Sequence, residues 1–325
     1  MKKILHTYNY SGIPWEILKS VVPEEKFKIE TLIEPTRDYL IKQAVDADYF
    51  LVSGRLRIDE EVLQAAPRLR MIQRTGVGTE MLDLTAIKNH NIPVYVNSGI
   101  NARSVAEHTL TLMLACLKRL PQINADTHKG IWNKQLQGVT SHEIYGKTVA
   151  MVGMGNIGRT VAAMLQPFGV KILYTDVYRQ SEEVETKFGL TYCESFEEML
   201  PASDILSFHC PQTPENTGML NKDTLSIMKG GAIVVNTARG KLINPDDLYD
   251  ALLKGHISAA GLDTHFDEPL TEDYKLSFLD NVILTPHIGG VSYESFYSMM
   301  QSAIKNIILY DAGDIENIRN AKFSI

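Results

Sequence analysis

The sequence predicts an α/β protein made of two Rossmann-like or flavodoxin-like domains, each a doubly wound parallel sheet. Three observations lead there. Short apolar runs alternate with helically spaced stretches along both halves of the chain, as β-α-β units require. An apolar run, Val149 to Val152, turns on Gly153, Gly155 and Gly158 and opens into an amphipathic stretch carrying Val161, Ala162, Met164 and Leu165. The chain has 325 residues, enough for two domains of ordinary size.

In the first part, up to about residue 98, the apolar runs are Ile4-Leu5, Phe27 to Ile33, Tyr49 to Val52, Met71-Ile72 and Val94 to Val96. Helical spacing fills Trp15 to Ser20, Arg37 to Ala44, Glu60 to Ala66 and Asp83 to Asn89. The last of these closes on Asn89-His90-Asn91-Ile92-Pro93, a helix stop that leads into a strand. This part has no glycine fingerprint, so no second nucleotide site is expected in it.

Residues 101 to 120 read as one long helix. Asn101 is placed to cap it, and Ser104 and Glu107 have capping-box spacing. Its apolar residues cover most of the circumference, so the helix is expected to be buried between domains or at a subunit contact. Glu107 and His108 on it are expected to cap or pair locally. Trp132, in a loop, reads either as an interface residue or as a packing residue.

From Lys147 to about Pro286 the strands are stronger: Val149, Ile172, Ile205 to Phe208, Ala232 to Val235, Ala259 to Leu262 and Val282 to Leu284. Helices fall between them, such as Pro245 to Leu253 with proline in its first turn. Ser292 to Leu309 is again helical in spacing. With no strand partner left, it is expected to cross back to the first domain.

The turn Gly153-Met154-Gly155-Asn156-Ile157-Gly158 has the form of a phosphate cradle. The first glycine makes the tight turn, the second lets the backbone approach a pyrophosphate, and the third lets helix and strand pack closely. The helix N-terminus then faces the anion. The next strand ends at Asp176, 18 residues past Gly158. A carboxylate there accepts from ribose hydroxyls and repels a 2′-phosphate, which points to NAD as the cofactor.

Composition excludes several classes. A net charge of −7 with no basic run argues against a nucleic-acid or anionic-membrane partner. The three cysteines are scattered, as expected for incidental thiols in a reducing compartment. The histidines and cysteines lack ligand spacing, so no metal site is expected. Lys2-Lys3 precede only two apolar residues before His6, too few for a signal-peptide core, and the longest apolar stretch is too short for a bilayer. A cytoplasmic protein is the expectation.

Three strand ends in the second half carry chemically able groups to the carboxyl edge of the sheet, where α/β ligands bind. They are Asn236-Thr237-Ala238-Arg239-Gly240, Asp263-Thr264-His265-Phe266-Asp267-Glu268-Pro269, and Thr285-Pro286-His287-Ile288-Gly289-Gly290. Their types suit hydride transfer to a 2-oxo acid. Arg239 offers a fork for a carboxylate, His287 a proton near neutral pH, and Glu268 a partner for one imidazole nitrogen. His265 rivals His287 for proton transfer, but its place two residues past a strand end favours packing.

These residues together resemble the D-isomer-specific 2-hydroxyacid dehydrogenases. The resemblance rests on Gly153, Gly155, Gly158 and Asp176, on Thr237-Ala238-Arg239-Gly240, on Asp263, on Asp267-Glu268-Pro269 and on Pro286-His287-Ile288-Gly289-Gly290, and it runs over nearly the whole chain. Asn101 to His108 and His128 to Asn133 look most like the D-3-phosphoglycerate dehydrogenase branch. The resemblance implies a substrate-binding domain of residues 1–100 plus 291–325, joined by two long helices to an NAD-binding Rossmann domain of residues 101–290. It implies Arg239, Glu268 and His287 as the catalytic trio, a small 2-oxo or 2-hydroxy acid as substrate, and a homodimer.

The resemblance also places the Thr75-Gly76-Val77-Gly78 loop at the substrate carboxylate with Arg239, through backbone N–H groups. It sets His209, Cys210, Pro211 and Thr213 under the adenosine, and Asp263 near the nicotinamide. Arg74 matches an arginine used for a distal phosphate, whereas Ser53, Gly54 and Arg55 depart from the Arg-Ser pair of the phosphoglycerate branch. The substrate is therefore left between D-3-phosphoglycerate and hydroxypyruvate or glyoxylate. The chain ends at Ile325, and the expectation is that the C-terminal regulatory domain of longer relatives is absent. A non-catalytic NAD-sensing protein, like the corepressors that share this fold, is the alternative reading. Formate dehydrogenases are a nearer one, disfavoured by Glu268.

Overall fold

A computed structural model describes residues 1–318 and divides the chain into two compact units, Met1–Asn101 with the segment from Tyr293, and Ala102–Ser292. Residues 319–325, the end of the segment expected to complete the first domain, lie outside the described residues.

The first unit runs β1 Lys2–His6, α1 Ile13–Ser20, β2 Phe27–Thr31, α2 Arg37–Ala44, β3 Tyr49–Val52, α3 Glu60–Gln64, β4 Met71–Arg74, α4 Leu84–Asn89 and β5 Val94–Tyr95. The second runs α5 Ala102–Lys118, α6 Leu120–His128, α7 Lys134–Val139, β6 Thr148–Val152, α8 Asn156–Leu165, β7 Lys171–Thr175, α9 Glu182–Phe188, β8 Leu190–Tyr192, α10 Phe196–Met199, β9 Ile205–Phe208, α11 Lys222–Ser226, β10 Ala232–Asn236, α12 Pro245–Leu253, β11 Ile257–Leu262 and β12 Val282–Leu284. Helix α13, Tyr293–Asp311, belongs to the first unit.

Most helices begin where the sequence supplies a short polar cap. Side chains of Thr36, Asp59, Asp83, Ser181, Ser195, Asn221 and Asn244 each accept from a backbone N–H of the first turn. The capping box expected of Ser104 and Glu107 does not form. Both residues lie inside α5, where the Ser104 hydroxyl donates to the Gly289 carbonyl and Glu107 pairs with Arg103. The helix also stops earlier than expected. Arg119 takes a left-handed φ of 50° and Pro121 opens a new helix behind it. Strand β8 escaped the sequence reading because three residues are too few to show alternation.

The first sheet is ordered β2-β1-β3-β4-β5, with every pair parallel. This is the flavodoxin-like order. One face packs Leu5, Phe50 and Ile72 against α2, α3 and α4. The other packs Ile4, Tyr49 and Met71 against α1 and the Phe296, Met299 and Ile304 face of α13. Asn97 ties α13 down, donating to the carbonyls of Thr75 and Met299 and accepting from Ser302.

The second sheet is ordered β12-β11-β10-β9-β6-β7-β8, again all parallel. Chain order reverses at β6, which has β7 on one side and β9 on the other, so this is a Rossmann sheet with its switch point at the end of β6. One face is covered by α5 and α8, the other by α10, α11 and α12. The long helix α5, expected between domains or at a subunit contact, buries Leu112, Met113, Cys116 and Leu117 in the core of its own unit, among β6, β10 and α8.

Candidate active site

The glycine turn sits at the switch point after β6. Gly153 has a φ of 99°, and a Cβ on it would stand 2.8 Å from the His209 carbonyl and the Cys210 nitrogen. The loop after β9 is thus the second wall of the turn. A Cβ on Gly158 would stand 2.3 Å from the Gly153 carbonyl oxygen, so only glycine lets α8 approach the strand this closely. Helix α8 is capped by Gly155, with no side chain to occupy its first N–H groups, unlike the capped helices above. Those amides, beginning at Asn156, Ile157 and Gly158, are left without a side-chain cap, as an anion such as a pyrophosphate requires.

Asp176 closes the cradle. Its carboxylate accepts from the Met154 N–H at 2.5 Å and from the Tyr178 N–H at 3.3 Å. The nearby Arg179 is held in a two-pronged pair with Glu185, both contacts 2.9 Å, and stacks on Tyr192. His209 is held by Ser207 Oγ at 2.9 Å, and burial pushes its pKa down to about 3, so the ring is neutral at physiological pH. Burial likewise pushes the Cys210 thiol up to about 11. Asn216 links Pro211 and Thr213, donating to the Pro211 carbonyl and accepting from the Thr213 N–H.

The three strand-end segments converge beyond β10, β11 and β12. Asn236, the last residue of β10, accepts from the Ala238 N–H and donates to the Arg239 carbonyl, which folds the loop back on itself. Thr237 turns its hydroxyl to Thr109 of α5 at 2.8 Å. The backbone at Gly240 presses on the next loop, and a Cβ there would stand 1.9 Å from the His265 carbonyl. The half-buried Arg239 therefore lies beside the segment that carries Glu268.

Glu268 is fixed at both oxygens. Oε1 accepts from the His265 N–H at 3.0 Å and Oε2 from His287 Nδ1 at 2.8 Å. A carboxylate has no proton to give, so His287 Nδ1 carries one and Nε2 is the ring nitrogen available to a substrate. The bond to Glu268 raises the His287 pKa above its ordinary value. Burial opposes this, the charges of Glu268 and Asp263 add to it, and the Arg239 charge pulls it back. Burial pushes the Glu268 carboxyl up, but the bonds from His287 and His265 outweigh it and hold the group low. His265 is buried, with Nε2 on the Thr285 carbonyl at 2.9 Å and its ring edge-on to Tyr274. It packs, as its position suggested.

Asp263, expected near the nicotinamide, is anchored inside its unit. It is 1% exposed, and both oxygens are engaged within the unit. Oδ1 accepts from Thr285 Oγ1 at 2.5 Å and the Ile288 N–H at 2.9 Å, and Oδ2 from the Gly289 N–H at 2.8 Å. His108 stands 3.4 Å from Oδ1 and 3.0 Å from Thr285 Oγ1. The expectation that His108 pairs locally is corrected: its partners lie far along the chain, because the helical spacing turns it toward the strand ends. Sequence reasoning gave Ser104 only a capping role and assigned none to Thr109 or Thr285. The signal was present as Ser104, His108 and Thr109, polar residues among the apolar ones of α5.

In the first unit, Ser53, Gly54 and Arg55 follow β3, and Gly76, Val77 and Gly78 follow the adjacent β4. Arg74, matched to an arginine used for a distal phosphate, lies between them and bonds backbone carbonyls. It is 8% exposed, with Nε on the Gly78 carbonyl at 2.6 Å and Nη1 on the Val52 carbonyl at 2.8 Å. Its guanidinium fills the space under Gly54, where a Cβ would stand 2.8 Å from it. Burial forces that charge onto carbonyl oxygens, so it clamps the two loops together. Arg55 is exposed and lies over the Tyr8 ring, 4.7 Å from its centroid, with Nη1 2.9 Å from the Tyr8 hydroxyl.

Residues 110–289 match the family model for the D-isomer specific 2-hydroxyacid dehydrogenase, NAD binding domain. A D-3-phosphoglycerate dehydrogenase of Mycobacterium leprae is 37% identical over 261 residues, which is 80% of this chain and 48% of that protein. The chain thus spans about half the length of the phosphoglycerate dehydrogenases it matches. A glyoxylate reductase of Pyrococcus furiosus is 34% identical over 302 residues, 90% of this chain and 88% of that protein. The crystal structure of a D-lactate dehydrogenase from Aquifex aeolicus, complexed with NAD and lactic acid, superposes with a TM-score of 0.84 at 30% identity, covering 99% of each chain. NAD is accordingly the dinucleotide for the cradle, whose bare amides and Asp176 carboxylate fit it.

Gly158→Ala is expected to weaken NADH binding about tenfold or more, since the added methyl forces α8 off the turn at an overpacking cost of about 1–3 kcal/mol. Fluorescence titration with NADH measures this, with circular dichroism to verify that the variant is folded.

Proposed function

Because the chain belongs to the D-isomer-specific 2-hydroxyacid dehydrogenase family, we propose that it is an NAD-dependent oxidoreductase interconverting a small 2-oxo acid and its D-2-hydroxy acid. The observation that carries this reading is the Glu268–His287 bond of 2.8 Å beside Arg239, on the same sheet edge as the glycine cradle. Bound NAD supplies the hydride in reduction and takes it back in oxidation. Arg239 holds the substrate carboxylate through its fork of donors. His287 Nε2 donates a proton to the C2 oxygen, and Glu268 stabilises the imidazolium that must form first. In oxidation the neutral ring takes the proton back.

Among the substrates that the relatives' names suggest, the placement of Arg74 favours a short, unphosphorylated 2-oxo acid such as glyoxylate or hydroxypyruvate. A distal phosphate needs a guanidinium turned toward it, and that of Arg74 is bonded to two backbone carbonyls. Cytoplasmic location is part of the proposal: all three cysteines are free, and among the described residues no helix is long and apolar enough to cross a membrane.

A homodimer is also proposed. Helices α6 and α7 bury no residue within the chain, while Leu120, Ile131, Trp132, Leu136 and Val139 are exposed along them, Trp132 by 84%. An apolar surface of this extent calls for a protein partner.

NADH oxidation with glyoxylate, hydroxypyruvate, pyruvate and phosphohydroxypyruvate tests the activity. Turnover with the first two is expected, and His287→Ala should lower it by at least about 100-fold while NADH affinity stays the same. A flat trace across the panel would leave an NAD-sensing protein as the better account. The pH dependence follows from the raised pKa of His287. The protonated ring is the acid, so reduction is full below that pKa and is lost as pH rises through it. Glu268→Gln removes the main cause of the rise, and the alkaline limb of the kcat profile should move about one pH unit or more downward. For the assembly, Trp132→Lys is expected to shift the chain from dimer to monomer in analytical ultracentrifugation, and an unchanged sedimentation coefficient would count against this face.

A further inference from the structure

We propose that His108 and Ser104 of α5 are positioning residues for the reaction, acting on His287 through the Thr285–Gly289 loop. This rests on the reading of His287 as the proton donor.

The loop has no helix or strand to hold it. His287 sits in it at a φ of 56°, a left-handed conformation that L side chains seldom adopt. Its N–H donates to the Asp263 and Thr285 carbonyls, so its backbone is set by where those two residues stand. Asp263 in turn holds the N–H groups of Ile288 and Gly289. The bonds of the His287 N–H thus run to Asp263 and Thr285, while its ring is held separately by Glu268.

Helix α5 reaches this knot at two points one turn apart. The Ser104 hydroxyl donates to the Gly289 carbonyl at 2.7 Å. His108 Nε2 lies 3.0 Å from Thr285 Oγ1 and 3.4 Å from Asp263 Oδ1. The direction of the His108 bond can be worked out. Thr285 has one hydroxyl proton and gives it to Asp263 at 2.5 Å, and a carboxylate only accepts. His108 Nε2 must therefore be the donor. It adds a donor for Thr285 Oγ1, with Asp263 Oδ1 close by, from a helix packed against the sheet. Removing it leaves Thr285 Oγ1 held by Asp263 alone and loosens the segment that aims the His287 ring. Misplacement of a catalytic group by an ångström is costly to turnover without touching the cofactor cradle.

The test uses the full chain with NADH and the best 2-oxo acid of the panel. His108→Phe keeps an aromatic ring but no donor. It is expected to lower kcat about tenfold or more while the NADH dissociation constant stays within about twofold. His108→Gln can offer an amide N–H near the Nε2 position and should recover most of that loss. A merely structural role would lower the melting temperature of both variants without this split. His108→Phe with wild-type kcat, or His108→Gln as slow as His108→Phe, overturns the inference. Should His108→Phe fail to fold, Ser104→Ala reads the same loop: kcat about threefold lower supports it, and an unchanged kcat overturns it. Wild-type protein that turns over no 2-oxo acid, or His287→Ala that turns over normally, instead brings down the reading of His287 itself.

Discussion

The second unit depends on a buried carboxylate. Asp263 is 1% exposed, and an isolated charge at such a position would cost many kcal/mol. It is stable there because four donors converge on it: the Thr285 hydroxyl, the Ile288 and Gly289 amides, and His108. Burial alone would push its pKa up, but those bonds hold it low, at about 2, so the group stays charged across the physiological range. A charge that must be satisfied is a strong constraint on whatever surrounds it. The loop from Thr285 to Gly289 is drawn around Asp263, and the conformation of His287 follows from that.

A second constraint complements the first. Each sheet is covered by apolar layers on both faces, and the strand ends are left as the place where polar groups can gather. The chemistry accordingly lies at loops set by rigid strands. In the second unit the cradle after β6 and the Glu268–His287 pair after β11 and β12 share the carboxyl edge of a single sheet. In the first unit the same rule gathers Ser53, Arg55 and the Gly76–Gly78 loop at the ends of β3 and β4, with Arg74 bonded to both segments.

The two arginines of that first unit illustrate how burial decides function. Arg55 and Arg74 are the same residue type at neighbouring strand ends. Arg74 is enclosed, and a buried guanidinium takes whatever oxygens are near, here the carbonyls of Val52 and Gly78. Arg55 is exposed and stacks on Tyr8, where its charge remains in contact with water. Nothing in the local sequence distinguishes them, because enclosure is a property of the packed unit.

What the sequence alone determined was everything written at short range. Alternating apolar runs specified the parallel strands. The spacing of Gly153, Gly155 and Gly158 specified a turn that only small residues allow, and Asp176 followed at the end of the next strand. The chemical types of Arg239, Glu268 and His287 were legible from their strand-end positions, and so was Glu268 as a partner for an imidazole nitrogen. Tertiary structure decided the rest. Ser104 and Gly289 are 185 residues apart in the chain, and His108 and Thr285 are 177 apart. Such pairs leave no periodic trace, so His108 read as a local helix residue until the fold brought it to Thr285 and Asp263. Periodicity reports which face of an element is buried, whereas the partner of a buried polar group is known only once the chain has closed around it.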